Sequence, residues 1–142
     1  MTFSSDPDLK RIADGVRDRT LPKPEWTHAA HFAAALWLLR EPGVDPFAEM
    51  PGIIRAYNEA TGVANTDADG YHETITLASL RAARAMLDAA PSDRPLHVVL
   101  MDLLSSDYGR SDWILRFWSK ERLFSVEARR AWVEPDLRPL PF

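Results

Sequence analysis

The sequence contains no cysteine. This absence excludes disulfide bonds, cysteine-ligated zinc and iron–sulfur sites, and a cysteine nucleophile. A cationic excess is also missing, because 17 Lys and Arg residues stand against 21 Asp and Glu residues and the formal net charge is -4. A protein that binds nucleic acid usually carries a basic face, so we do not expect nucleic acid as a partner.

Long hydrophobic runs are missing as well. The most apolar stretch, residues 32–39, is far shorter than the roughly 20 residues that cross a bilayer. Residues 1–7 lack the basic segment and the apolar run of a signal peptide. We therefore expect no membrane partner and a cytoplasmic location, with which the lack of cysteine agrees.

Helical periodicity dominates the sequence, and no alternating strand pattern of useful length occurs. We predict one all-α domain over residues 1–142, a bundle of about five to seven helices. The second helix is apolar on nearly every side and should be the central one, whereas Pro51 is expected to kink or divide the third helix. The predicted helices are residues 6–19, 27–40, 46–61, 71–89, 94–104, 111–118 and 125–132, before an extended proline-rich tail at 134–142.

Three of the four histidines lie in two short clusters, residues 26–31 and 71–76. Thr27 is a good N-cap, and His28 and His31 are three residues apart, which puts them on one helical face. The positive end of the helix dipole disfavours the imidazolium, so neutral imidazoles are expected. If the second and fourth helices meet at these ends, His28, His31 and His72 face one pocket.

Such a pocket has the composition of a metal site, with His28, His31 and His72 as the candidate ligands. Three nitrogen ligands with an open position are typical of catalytic zinc, and two histidines with a carboxylate are typical of non-haem iron(II). Glu25 and Glu73 are the nearest carboxylates. We assign candidate catalytic roles to Glu73 and His72, and a bound metal would activate water or hold an oxygen ligand.

Two other interpretations stay open, so the sequence supports both an enzyme and a protein without catalytic activity. In the first, the protein is a small-molecule-binding or protein-interaction module, with Trp26 and Tyr71 as the pocket wall and Thr76 on the same face as His72. In the second, the histidines only cap helices and bond one another. Both interpretations concern the same two clusters.

The loop at residues 65–70 has some features of a calcium-binding loop. Oxygen-bearing side chains alternate along it and Gly70 occupies the sixth position, but the twelfth position is Thr76. An EF-hand needs a bidentate glutamate at that place. A polar turn is therefore the preferred interpretation.

Several longer motifs follow one another along the chain. They are Trp-Thr-His-x-x-His, Tyr-Asn-Glu-Ala-x-Gly-Val-x-Asn-Thr, Gly-Tyr-His-Glu-Thr-Ile-Thr, Glu-Arg-Leu-Phe-Ser-x-x-Ala-Arg and Trp-Val-Glu-Pro-Asp-Leu. Together they resemble a family of small bacterial proteins of unassigned function, over residues 26–140. The resemblance implies a bacterial, single-domain protein and brings no activity with it.

Overall fold

Seven α-helices and three short 3-10 helices occur in the computed structural model, which describes residues 3–142. No strand occurs in that part of the chain, so the predicted all-α class is confirmed. The α-helices are α1 (Asp6–Arg17), α2 (His28–Arg40), α3 (Pro46–Ala60), α4 (Glu73–Ala89), α5 (Leu96–Ser105), α6 (Lys120–Leu123) and α7 (Val126–Arg130), and the 3-10 helices are Lys23–Glu25, Asp107–Gly109 and Trp113–Arg116.

Helix α2 is the centre of the bundle, as its apolar sequence predicts. It contacts α1, α3, α4 and α5. Ala30, Phe32 and Leu36 are among its buried residues, and the several alanines let neighbouring helices approach closely. The Oγ1 atom of Thr27 accepts the N–H of Ala30 at 3.2 Å, so Thr27 is the N-cap that the sequence predicts. Within residues 3–142, no helix combines the length and the apolar character needed to cross a membrane.

Helix α3 runs without interruption through Pro51, so of the two expected effects, a kink or a division, the division does not occur. Pro51 removes one backbone hydrogen bond near the start of the helix. The Asp45 side chain caps that start by accepting the N–H of Phe47, and burial of Met50 and Ile54 holds the continuous helix against the core.

The C-terminal third departs most from the predicted helices. The expected helix at 111–118 is only a 3-10 turn, Trp113–Arg116, and α6 follows where no helix was predicted. The chain leaves the helical path there because the indole of Trp118 is buried and donates to the carbonyl of Val133 at 3.0 Å. Residues 131–142 contain no helix or strand, and the N–H of Leu137 donates to the carbonyl of Phe117.

Candidate functional site

A cavity of about 340 Å³ lies between α2, α3, α4 and the loop at 61–72. Both histidine clusters reach it, because Trp26 and His31 line one side and Tyr71, His72 and Thr76 line the other. No Asp, Glu, Lys or Arg side chain of residues 3–142 belongs to its lining. The two helix starts therefore meet in space. Apart from histidine, the cavity between them has no acidic or basic side chain of these four types in its lining, among the described residues.

His31 is held in one tautomer by its own helix. Its Nδ1 atom lies 2.6 Å from the carbonyl oxygen of Thr27, one turn earlier. A carbonyl oxygen only accepts, so Nδ1 carries the proton and Nε2 of the neutral ring is an acceptor. The indole of Trp26 stacks on the imidazole with a centroid distance of 3.7 Å. Trp26 thus fixes the plane of the ring, and Thr27 fixes its direction.

The environment keeps His31 neutral. Burial lowers its pKa to about 4, against the opposing hydrogen bond to Thr27, and the nearby imidazole of His28 lowers the pKa further. The expected neutral form therefore agrees with the structure, and burial is its main cause. Within residues 3–142 no donor reaches Nε2. His31 accordingly brings an unoccupied acceptor nitrogen to the wall of the cavity.

His72 has no such free nitrogen. It is the N-cap of α4, one residue before the helix begins at Glu73, and its Nδ1 atom accepts the N–H of Ile75 at 3.1 Å. Its Nε2 atom lies 2.7 Å from the carbonyl of Leu123 and donates to it. Burial lowers the pKa of His72, so this ring is neutral too. With both nitrogens in use, His72 keeps no lone pair for a metal or for proton transfer.

The three imidazoles do not form the expected metal-ligand group. His28 lies outside the cavity lining, and its Nε2 atom is 2.9 Å from the carbonyl of Tyr108. The described residues include no group of three or more His, Asp and Glu side chains placed to hold a metal ion. The described geometry does not bring His28, His31 and His72 together as a zinc or iron site, because His28 lies outside the cavity lining and His72 has both ring nitrogens in use.

The carboxylates near the clusters are also committed elsewhere. Glu73 does not line the cavity, and its Oε1 atom accepts the hydroxyl of Tyr71 at 2.5 Å. Burial, followed by this hydrogen bond, raises the pKa of Tyr71, whereas the nearby Thr76 hydroxyl acts in the opposite direction. Glu25 pairs with Arg11 at 2.9 Å. Glu73, the expected general base, therefore does not line the cavity itself and contacts the hydroxyl of Tyr71, whose ring lines it.

Helix α3 supplies a wall that sequence reasoning missed. Met50, Ile54 and Asn58 line the cavity at a spacing of four residues. This is a helical stripe that ends in a buried amide. The spacing of these three residues is the sequence signal that could have placed them on one helical face. Ser79 and Leu80 of α4 are further lining residues that were not predicted.

The loop before α4, which contributes Val63, Gly70 and Tyr71 to the cavity lining, is held in place by one side chain. The Oδ1 atom of Asn65 accepts from Nδ2 of Asn58 and from the N–H of Tyr71, both at 3.0 Å. Gly70 has φ +80°, and a Cβ there would lie 2.4 Å from the carbonyl oxygen of Ala64. The hydroxyl of Thr66 accepts two backbone N–H groups of the turn. The loop is therefore a hydrogen-bonded polar turn, as preferred over a calcium loop.

The comparisons with known proteins leave the site to be interpreted from its own chemistry. No family model matches the chain. Neither the curated proteins nor the solved structures gave a match.

Proposed function

We propose that this protein binds a small molecule whose buried part is uncharged, largely apolar and equipped with one hydrogen-bond donor. The observation that carries the proposal is the free acceptor Nε2 of His31, held under Trp26 in the wall of a cavity that is partly open to solvent. Ligand sites are typically apolar chambers with a few well-placed polar groups. The cysteine-free sequence and the family resemblance favour a cytoplasmic, bacterial setting.

The size of the cavity supports a ligand of about one ring. Its volume of about 340 Å³ lies near the lower end of the roughly 300–1,000 Å³ of small-molecule sites. An aromatic body would pack against the Trp26–His31 stack. Thr76 and Ser79 add hydroxyl groups to an otherwise mostly apolar lining. A planar molecule with an O–H or N–H group fits these features best.

Binding is favoured over acid–base catalysis. A general base works best when its pKa lies near the working pH, and burial lowers the pKa of His31 to about 4. His72 and Glu73, the candidate catalytic groups, are engaged with Leu123 and Tyr71. The remaining role for the site is recognition, with His31 as the acceptor that selects the ligand.

Phenol and toluene provide a direct test, because they have nearly the same shape and only phenol donates a hydrogen bond. We expect phenol to bind about twofold to tenfold more tightly than toluene, the range that one net hydrogen bond provides. In His31→Phe the ring stack on Trp26 is preserved and the acceptor is lost, so toluene should become the better ligand. Titration of the Trp26 indole N–H signal by NMR measures both affinities.

The matched control is His28→Phe, the same substitution three residues away and outside the cavity lining. It should keep the preference for phenol. A wild-type preference for toluene, or the absence of saturable binding of both probes, would overturn the proposed function.

A further inference from the structure

Arg55 lies beside the cavity without belonging to its lining. It follows the lining residue Ile54 on α3, and its Cζ atom is 4.4 Å from the ring centroid of Tyr71. Tyr71 is buried and lines the cavity, whereas Arg55 is exposed. The exposed guanidinium therefore lies over a ring that also lines the cavity.

This guanidinium has no carboxylate partner. Within residues 3–142, no Asp or Glu oxygen lies within 4.0 Å of Arg55. Arg17 is paired with Glu41 and Arg130 with Asp67, whereas Arg81, like Arg55, lies over an aromatic ring and has no carboxylate within 4.0 Å among the described residues. The N–H groups of Arg55 are thus not paired with a carboxylate in that part of the protein, and they lie beside the buried ring of Tyr71.

The other charged groups around Tyr71 are already engaged by protein partners. Glu73 accepts the Tyr71 hydroxyl. On the backbone side, Nη1 of Arg129 donates to the carbonyl oxygens of Gly70 and Tyr71 at 3.0 and 3.3 Å. Arg129 also interacts with Asp67 of the same loop, which pairs with Arg130, whereas Arg55, beside this tyrosine, has no carboxylate within 4.0 Å among the described residues.

We infer that the ligand is a small monocarboxylic acid, whose carboxylate pairs with Arg55 while its apolar, donor-bearing body fills the cavity. The inference rests on the proposed binding function. A charge is not expected inside the cavity, where neutral groups cannot repay its desolvation, so an ionised ligand must keep its charge at the edge. A guanidinium provides the planar pair of donors that a carboxylate prefers. Arg55 is then the residue that selects an acid over its neutral analogue.

The test compares acids with their primary amides, which have the same shape and no charge. The probes are para-hydroxybenzoate and para-hydroxyphenylacetate, each beside its amide, titrated at low ionic strength into the wild type, Arg55→Gln and Arg81→Gln. Arg81 is the matched control, since its Cζ lies 4.0 Å above Trp132, a ring outside the cavity lining.

We expect at least one acid to bind wild type and Arg81→Gln about threefold to tenfold more tightly than its amide. The preference should vanish in Arg55→Gln and weaken with added salt. Arg55 is exposed, so this variant should fold normally, and its thermal unfolding provides the check. Acids that bind no better than their amides overturn the inference, and so does a preference that survives in Arg55→Gln.

The phenol titration separates this failure from failure of the proposed function. If phenol binds in a His31-dependent way and no acid is preferred, the binding function stands and the carboxylate inference falls. If neither phenol nor any acid or amide binds, the binding function itself is overturned.

Discussion

His31 and His72 occupy comparable places and differ in their hydrogen bonds. Each lies at the start of a helix, each lines the same cavity, and burial lowers the pKa of both. His72 uses both ring nitrogens, one to cap α4 and one to hold the carbonyl of Leu123. His31 uses only Nδ1, on Thr27. The difference lies in how many hydrogen bonds the protein itself supplies.

This contrast indicates how a structural histidine can be distinguished from a binding one. Desolvation alone makes both rings neutral, so a lowered pKa does not separate them. The discriminating fact is an acceptor nitrogen on a cavity-lining residue that has no protein donor, whereas every fully buried polar side-chain atom of the described residues has a partner. By that criterion His31 is the residue that we propose to contact a ligand, whereas His72 joins the start of α4 to the carbonyl of Leu123.

The largest expected effect comes from His72→Ala. The change removes the cap of α4 and leaves the Leu123 carbonyl without its donor, in a residue that is fully buried. We expect the free energy of unfolding to fall by about 2–4 kcal/mol, the sum of a lost cap and an unsatisfied buried acceptor. Urea denaturation measures it, with the m-value as a check that the states are unchanged.

His72→Asn divides this effect into its two parts. The shorter amide can cap the helix but cannot reach Leu123, so it should recover about 1 kcal/mol of the loss. A loss below about 1 kcal/mol in His72→Ala would mean that the bond to Leu123 contributes nothing, and the assignment of His72 as a structural residue would then fail.

The sequence predicts local features of these sites well and remote ones poorly. Thr27 as a cap and the apolar character of α2 depend on neighbouring residues, and both predictions are confirmed. The partners of His72 and His28, at Leu123 and Tyr108, are 51 and 80 residues away. Spacing within a cluster carries no information about such distant carbonyls, so the same histidines suggested a metal.

The helices of the C-terminal third were predicted poorly for the same reason, because they depend on distant contacts. Its short helices are too short to be stable by themselves and depend on tertiary contacts. Trp118 turns the chain by bonding Val133, fifteen residues later. The hydroxyl of Ser119 accepts the N–H of Arg122 and caps α6, which is a local signal that could have located this helix.

The second-largest expected effect is on the free energy of unfolding at acidic pH. The pKa of His31 is about 4 in the fold, against 6.5 as its ordinary value. Between these values the unfolded chain binds more protons, so the stability that His31 contributes is complete above pH 6.5 and is lost as the pH falls toward 4. Because His31 is only half-buried, we expect a screened contribution of about 1–2 kcal/mol.

His31→Phe isolates this contribution, since the carboxylates and His72 titrate in both proteins. Urea unfolding at pH 7, 5.5 and 4 should show the wild type losing more stability than the variant as the solution is acidified. Parallel profiles of the two proteins would contradict the low pKa of His31 and weaken its assignment as a neutral acceptor.

The smallest effect is expected at Thr27, whose backbone and side chain have separate tasks. Thr27→Ala removes the hydroxyl that accepts the Ala30 N–H but keeps the carbonyl that orients His31. We expect a loss of about 0.5–1.5 kcal/mol in unfolding free energy and a phenol affinity within about twofold of the wild type. Thr27→Ser should restore the stability. If phenol affinity falls severalfold while stability is unchanged, the Thr27 hydroxyl itself belongs to the binding site. The assignment of capping to Thr27 and of ligand binding to His31 would then be wrong.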